Sequence, residues 1–172
     1  MSATEKSRVS LQELTELSLL CALMVGGKEA MRLLPNIHPV MILLLLAVLL
    51  YGWKAMYPVV GFVVLEILLY GLGIWNIMYI YMWPLVVAAA MPFRASRSWA
   101  FWAAFAGLFG LCFGALCSIP YLLFGGWKVA FSYWIAGIPF DLVHCVANAV
   151  QVFIVLPPLY RLARRRKARE VR

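Results

Sequence analysis

The stretch WAFWAAFAGLFGLCFGALCS, residues 99–118, contains twenty residues and no charged side chain. As an α-helix rising about 1.5 Å per residue, it is about as long as the roughly 30 Å hydrocarbon core of a bilayer is thick. Similar apolar stretches recur between Leu17 and Leu156, and hydrophobic residues make up 65% of the 172-residue chain. This composition excludes an ordinary soluble domain and predicts an integral membrane protein.

Charged and turn-forming residues divide the apolar sequence into six predicted helices within a single membrane domain, residues 1–172. Ser10 and Glu13 form a capping-box pattern that begins the first helix, and Pro35 and Pro39 separate it from the second. The predicted transmembrane helices of this all-α bundle cover residues 11–34, 39–53, 55–72, 76–93, 99–118 and 137–160. Irregular backbone is expected around Pro120, Gly125 and Gly126, and a basic tail covers residues 161–172.

The basic residues predict the orientation of this bundle. With six crossings, one side of the membrane carries Lys6, Arg8, Lys54, Arg94, Arg97 and the cluster from Arg161 to Arg172. By the positive-inside rule both termini are then cytoplasmic. Because the net charge of +8 is explained as a topology signal, and no basic residues interleave with aromatic ones in a polar groove, no nucleic-acid partner is predicted.

Motifs for catalysis or metal binding do not occur in the sequence. The four cysteines lie in apolar segments without a CxxC pair, and no HExxH pair, serine elbow or Walker-type loop is present. We therefore expect no catalytic residue, no bound metal, no cofactor and no enzymatic activity of the chain itself.

Polar and aromatic side chains inside the apolar segments concentrate toward the side away from the basic tail. Asp141, His144 and Asn148 follow the spacing i, i+3, i+7 and so share one helical face. Because charged groups in hydrocarbon cost several kcal/mol unless partnered or hydrated, their convergence predicts a wet pocket. The predicted substrate-binding residues are Glu66, Trp75, Asn76, Tyr79, Trp83, Asp141, His144 and Asn148.

A second set of residues has two interpretations. Lys28, Glu29, Arg32, Asn36 and His38 line the same pocket or belong to ion pairs and a surface turn. In the alternative interpretation Lys28 or Arg32 neutralises Glu29 or Glu66, Asp141 caps the start of the last helix, and the tryptophans and tyrosines form an interfacial belt.

Small residues recur at every fourth position of the first helix. Ser18, Ala22, Gly26 and Ala30 form a smooth stripe that another helix can approach closely, either within this chain or in another subunit. A second series, Gly107, Gly110 and Gly114, predicts internal packing of the fifth helix.

Two segments carry a resemblance to a known family. The sequence LPNIHPV, residues 34–40, resembles a Pro-Asn-x-x-Pro turn of the S-components of energy-coupling factor (ECF) transporters. The sequence AGIPFDLVH, residues 136–144, followed by Asn148 and Pro157, is similar to uncharacterised members of that family.

This resemblance implies a six-helix, multi-pass S-component in a bacterial or archaeal cell membrane, with both termini cytoplasmic. It would capture a vitamin or related micronutrient at an outward-facing pocket and deliver it together with a T-component and two ATPase subunits. Ser18, Ala22 and Gly26 would contact the T-component. Two alternatives stay open: a self-sufficient small membrane carrier, and a membrane-embedded enzyme that uses Glu66, Asp141 and His144.

Overall fold

The computed structural model describes residues 9–170, and side chains to residue 169. These residues form six α-helices and two short 3-10 segments, with no strand. The helices are α1 (Leu11–Ala30), α2 (Val40–Tyr51), α3 (Met56–Tyr70), α4 (Ile74–Ala90), α5 (Trp99–Cys117) and α6 (Ile119–Glu170), and the 3-10 segments are Gly52–Ala55 and Met91–Phe93.

Four stretches of the described chain are long and apolar enough to cross a membrane. They are Val40–Tyr70, Ile74–Phe93, Trp99–Cys117 and Ile119–Arg169. The first of these stretches includes α2, the 3-10 segment 52–55 and α3. The prediction of an all-helical chain is therefore confirmed for the described residues, and these long apolar helices are compatible with a membrane bundle. Six crossings and cytoplasmic termini stay predictions. The first five helices begin and end within four residues of the bounds expected from the sequence.

The first three helices form an up-down-up arrangement. At one end of α1, Glu13 pairs with Lys54 at 2.7 Å and Glu16 accepts a hydrogen bond from Tyr51. At the other end Lys28 pairs with Glu66 in α3. Helix α3 therefore runs parallel to α1, and the chain reverses after α2 in the 3-10 segment 52–55.

Helices α5 and α6 form a tightly packed antiparallel pair. The face of α5 that carries Gly107, Gly110 and Gly114 lies against α6, and a Cβ atom on Gly110 would lie 2.7 Å from backbone atoms of His144. The absence of side chains on α5 thus lets the two backbones approach closely. The internal packing predicted for this glycine series is confirmed.

Helix α6 differs most from its predicted bounds. Instead of residues 137–160 it covers Ile119–Glu170, and the predicted irregular region is helical except at Gly126, whose φ of 72° and ψ of −178° break the helix. Pro120 falls in the first turn, where the missing amide hydrogen costs nothing. The part of the basic tail up to Glu170 continues the same helix. Because about 20 residues cross a bilayer, the continuous helix after Gly126, residues 127–170, must tilt or extend beyond the hydrocarbon core.

The bundle has two chemically different ends. The basic end holds Lys54, Arg94, Arg164 and Lys167, and there the side chain of Lys167 lies 4.0 Å from Glu16. The polar end holds Lys28, Glu66, Asn76 and Asp141. The start of α1 and the C-terminal part of α6 therefore lie at the same end of the bundle.

Candidate functional site

Five of the predicted substrate-binding residues are buried polar side chains in the folded chain. They are Glu66, Asn76, Asp141, His144 and Asn148, and each is at most 5% exposed. A buried polar group costs free energy unless it is hydrogen-bonded, so each needs a partner or a polar ligand. Their surroundings show which of them are already satisfied by the protein.

Two cavities open at the polar end. The first, which we call the α6 cavity, has a volume of about 350 Å³ and lies between the start of α4, the end of α5, residues 133–141 of α6 and the connection from α1 to α2. Its walls include four aromatic rings and one carboxyl side chain. The aromatic residues are Trp75, Phe113, Tyr133 and Phe140, and the carboxyl group belongs to Asp141.

The Asp141 carboxylate is held by the backbone of α5. Its Oδ1 atom accepts a hydrogen bond from the Gly114 amide at 2.8 Å, and a Cβ atom on Gly114 would collide with the carboxylate. The Oδ2 atom is buried and has no hydrogen-bond partner within the described part of the chain. The alternative interpretation that Asp141 caps the last helix is wrong, because α6 begins at Ile119 and Asp141 lies well inside it.

The second cavity, which we call the α3 cavity, has a volume of about 410 Å³ and is lined by Lys28, Glu66, Tyr70, Asn76 and Tyr79 among others. Here the charges neutralise one another. The Lys28 ammonium lies 2.5 Å from a Glu66 carboxylate oxygen and 3.9 Å from a Glu29 oxygen. Lys28 and Glu66 therefore form the ion pair that the alternative interpretation predicts.

Residues at the start of α4 separate the two cavities. Trp75 lines both of them and is 57% exposed. The side-chain oxygen of Asn76 accepts a hydrogen bond from the Gly73 amide at 2.9 Å and so caps the first turn of α4. Asn76 thus has a structural role that fixes the position of the neighbouring Trp75.

An aromatic layer adjoins the cavities on the side toward the basic end, and Tyr79 and Phe113 belong both to this layer and to the cavity walls. It consists of His38, Phe62, Tyr79, Trp83, Phe109, Phe113 and His144, with neighbouring ring centroids 4.7 to 6.5 Å apart. Most of these rings meet edge to face, which is a favourable arrangement. Trp83 and His144 were predicted to bind substrate, but they lie in this layer and line neither cavity.

The aromatic layer contains polar atoms that have no hydrogen-bond partner among the described residues. These are the Nδ1 atom of His38, the Nε1 atom of Trp83 and both ring nitrogens of His144. Burial, and then the positive charge of Lys28, lower the pKa of His38 to about 4, so this imidazole is neutral at pH 7. The aromatic layer therefore combines apolar rings with four unpaired ring nitrogens.

Two asparagines connect elements around the site. Asn148 donates a hydrogen bond to the Ala106 carbonyl at 3.4 Å and joins α6 to α5 below the aromatic layer. Asn36 adopts a φ of 58° in the connection after α1 and donates to the Phe140 carbonyl at 3.1 Å. Asn tolerates this left-handed conformation better than most residues, which explains its place in the turn. Asn36 also lines the α6 cavity.

The remaining predicted residues lie outside the cavities. Glu29 accepts a hydrogen bond from the Tyr70 hydroxyl, and Arg32 is exposed. Ser18, Ala22 and Gly26 are exposed along α1, and a Cβ atom on Gly26 would meet nothing within 4 Å. Within the described residues, the small-residue stripe therefore has no helix packed against it at Gly26.

Sequence reasoning missed several residues that line the α6 cavity, among them Phe113, Gly114 and Phe140. Gly114 belongs to the glycine series, which predicted close helix packing. That pattern did not predict that the Gly114 amide donates a hydrogen bond to Asp141. Phe113 and Phe140 lie in sequences rich in aromatic residues, and nothing in the pattern distinguishes a cavity wall from a lipid-facing ring.

Across residues 9–169, no group of three or more His, Cys, Asp or Glu side chains could hold a metal ion. No family model, curated protein or solved structure matches the chain.

Proposed function

We propose that this chain is the substrate-binding S-component of an ECF-type importer in a bacterial or archaeal cell membrane. It binds a vitamin or related micronutrient at the polar end and delivers it with a T-component and two ATPase subunits. The observation that carries this proposal is the α6 cavity, where a buried carboxylate oxygen of Asp141 has no hydrogen-bond partner from residues 9 to 169.

The chemistry of this cavity supports a small-molecule receptor. Binding sites for small molecules are concave and mostly apolar, with a few polar groups that orient the ligand. The α6 cavity has this composition, since Asp141 and Asn36 project among aromatic walls. Its volume of about 350 Å³ falls in the range of roughly 300 to 1,000 Å³ for such sites.

The charge distribution supports capture from outside the cell. Basic residues are retained on the cytoplasmic side of membrane proteins. With Lys54, Arg94, Arg164 and Lys167 at the basic end, the polar end and its cavities face the exterior. A substrate would thus enter the α6 cavity from the aqueous phase outside the cell.

The exposed stripe on α1 supports a membrane-embedded partner. Small residues four apart allow helix backbones to approach closely in lipid, where dispersion contacts stabilise association. Ser18, Ala22, Gly26 and Ala30 form such a stripe and are exposed on the surface of this chain. We assign this surface to the T-component, through which the ATPase subunits supply the energy for transport.

Co-expression with a T-component and two ATPase subunits from the same organism tests the proposal. We expect the purified chain to co-isolate with the ATPases and, in native mass spectrometry, to retain a small molecule. Gly26→Leu should abolish co-isolation while the small molecule is retained, because the larger side chain blocks helix approach at the stripe. Ala104→Leu is the matched control, since Ala104 is exposed on α5 away from the stripe.

Failure to co-isolate with the ATPases under any condition, combined with uptake of the retained compound into liposomes by the chain alone, would contradict the proposal. That result would identify a self-sufficient carrier.

A further inference from the structure

The two cavities at the polar end differ in charge. The α3 cavity contains Lys28 and Glu66, which neutralise each other, whereas Asp141 is the only Asp, Glu, Lys or Arg among residues 9–169 that lines the α6 cavity. If the proposed function holds, a substrate in the α6 cavity must complement the charge of the residues that line it. We infer that the α6 cavity selects a small organic cation, that is, a protonated or quaternary amine or a cationic heterocycle.

The carboxylate is built into the wall in a fixed position. One oxygen of Asp141 is occupied by the Gly114 amide, and the absence of a Gly114 side chain permits this approach. The residue is 2% exposed, and its other oxygen is buried with no hydrogen-bond partner among residues 9–169. A carboxylate held by one hydrogen bond, with its second oxygen unpaired, is a preorganised acceptor for a positively charged donor.

The aromatic walls favour the same ligand class. A cation within about 6 Å of a ring centroid is attracted by the negative face of the ring, most strongly for tryptophan. Trp75, Phe113, Tyr133 and Phe140 surround the cavity that contains the Asp141 carboxylate. Lys28 already lies 5.0 Å from the centroid of Tyr70 in the α3 cavity, so the protein itself makes a contact of this kind nearby.

Other ligand classes fit this cavity less well. An anion would be repelled by Asp141 and would find no lysine or arginine among the lining residues. A neutral donor would satisfy one hydrogen bond but would leave the negative charge without a counter-ion in a region of low dielectric constant. A cation satisfies both the hydrogen bond and the charge.

Isothermal titration calorimetry on the purified chain in detergent tests this inference. The probes are tetramethylammonium, choline, benzyltrimethylammonium and protonated benzylamine, compared with the neutral compounds 3,3-dimethyl-1-butanol and benzyl alcohol. We expect at least one cation to bind at least tenfold more tightly than its neutral counterpart.

Two variants distinguish the contribution of the Asp141 carboxylate to cation binding from that of the aromatic walls. Asp141→Asn keeps an oxygen that can accept the Gly114 hydrogen bond and should therefore fold, yet it should weaken cation binding at least tenfold. Trp75→Leu, at an exposed position, should weaken it severalfold. The paired change Lys28→Gln with Glu66→Gln alters only the α3 cavity and should leave cation binding unchanged.

The inference is overturned if no cation in the panel binds, if cations and neutral counterparts bind equally, or if folded Asp141→Asn binds like the unmodified chain. If native mass spectrometry then identifies a retained neutral or anionic compound and the ATPases still co-isolate, the ligand class is wrong and the proposed function stands. If no compound is retained and no ATPase co-isolates, the proposed function itself fails.

Discussion

Two buried carboxylates lie at the polar end of this bundle, and their surroundings assign them different tasks. Glu66 on α3 has its charge matched by Lys28 from α1. Asp141 on α6 accepts a hydrogen bond from the Gly114 amide, and the structure gives it no ion-pair partner among the described residues. One oxygen of each carboxylate is buried without a hydrogen-bond partner, so the two sites differ in the counter-ion alone. The comparison teaches that a charged residue in an apolar segment is a candidate for ligand binding mainly where the described chain provides no counter-ion.

The same comparison predicts that mutations at one carboxylate affect the stability of the fold and that mutations at the other affect ligand binding. The Lys28–Glu66 pair connects α1 to α3, so its loss should loosen the helices. The Asp141 carboxylate is accommodated by a glycine and held by one backbone hydrogen bond, so its charge contributes little to packing. Mutations at the two sites should therefore differ in which property they change.

The largest expected effect is on the free energy of unfolding, from Lys28→Met. The change leaves Glu66, whose side chain is 4% exposed, as an unpaired buried charge. Breaking a buried pair in this way costs about 3 kcal/mol, because the remaining charge has lost its partner. Equilibrium unfolding in mixed detergent micelles measures this loss, and Asp141→Asn should change the same quantity much less.

The paired change Lys28→Met with Glu66→Met provides the control. Removing both charges should restore most of the lost free energy, since no buried charge is then left unpaired. If the double variant is as unstable as Lys28→Met alone, the ion pair is not the source of the effect, and the contrast between Glu66 and Asp141 is lost.

A smaller effect is expected from Gly110→Ala in the α5–α6 interface. The new methyl group would lie 2.7 Å from backbone atoms of His144, which can move only if the whole helix shifts. Overpacking of this kind costs about 2 kcal/mol. Thermal unfolding in detergent should show the change, and cation binding at the α6 cavity should weaken because Asp141 moves with α6.

Gly61→Ala is the matched control in the other half of the bundle. There the added methyl group would lie 2.8 Å from the Sγ atom of Cys21, a side-chain atom that can rotate away. We expect a loss well below that of Gly110→Ala. Equal losses would show that the close approach of α5 and α6 does not depend on the glycine face.

Much of the fold follows from local patterns in the sequence. The capping box formed by Ser10 and Glu13 begins α1 as predicted, because both hydrogen bonds that define it lie within one turn. The face shared by Asp141, His144 and Asn148 also follows from spacing alone, and all three side chains are buried. The bounds of α6 could not be predicted in this way. The helix continues through residues 127–136 because of its packing against the rest of the bundle, and nearby glycines and prolines in the sequence carry no information about that packing.

The candidate site could be predicted only in part. The sequence placed Glu66 and Asp141 toward the same end, but whether Lys28 reaches Glu66 depends on how α1 packs against α3. The role of Gly114 as a donor to Asp141 depends likewise on the register between α5 and α6. Such contacts join residues far apart in the chain, and residue spacing carries no information about them.

Thiol accessibility in intact cells tests the central claim, that the polar end faces the exterior and the basic end the cytoplasm. Leu72→Cys lies in the connection between α3 and α4 at the polar end, whereas Ala95→Cys and Ala168→Cys lie at the basic end, and all three positions are exposed. With a membrane-impermeant maleimide, and the unmodified chain as background, we expect labelling of Leu72→Cys alone until the cells are permeabilised. Labelling of Ala95→Cys and Ala168→Cys from opposite sides of the membrane, or of both from outside, would contradict the account.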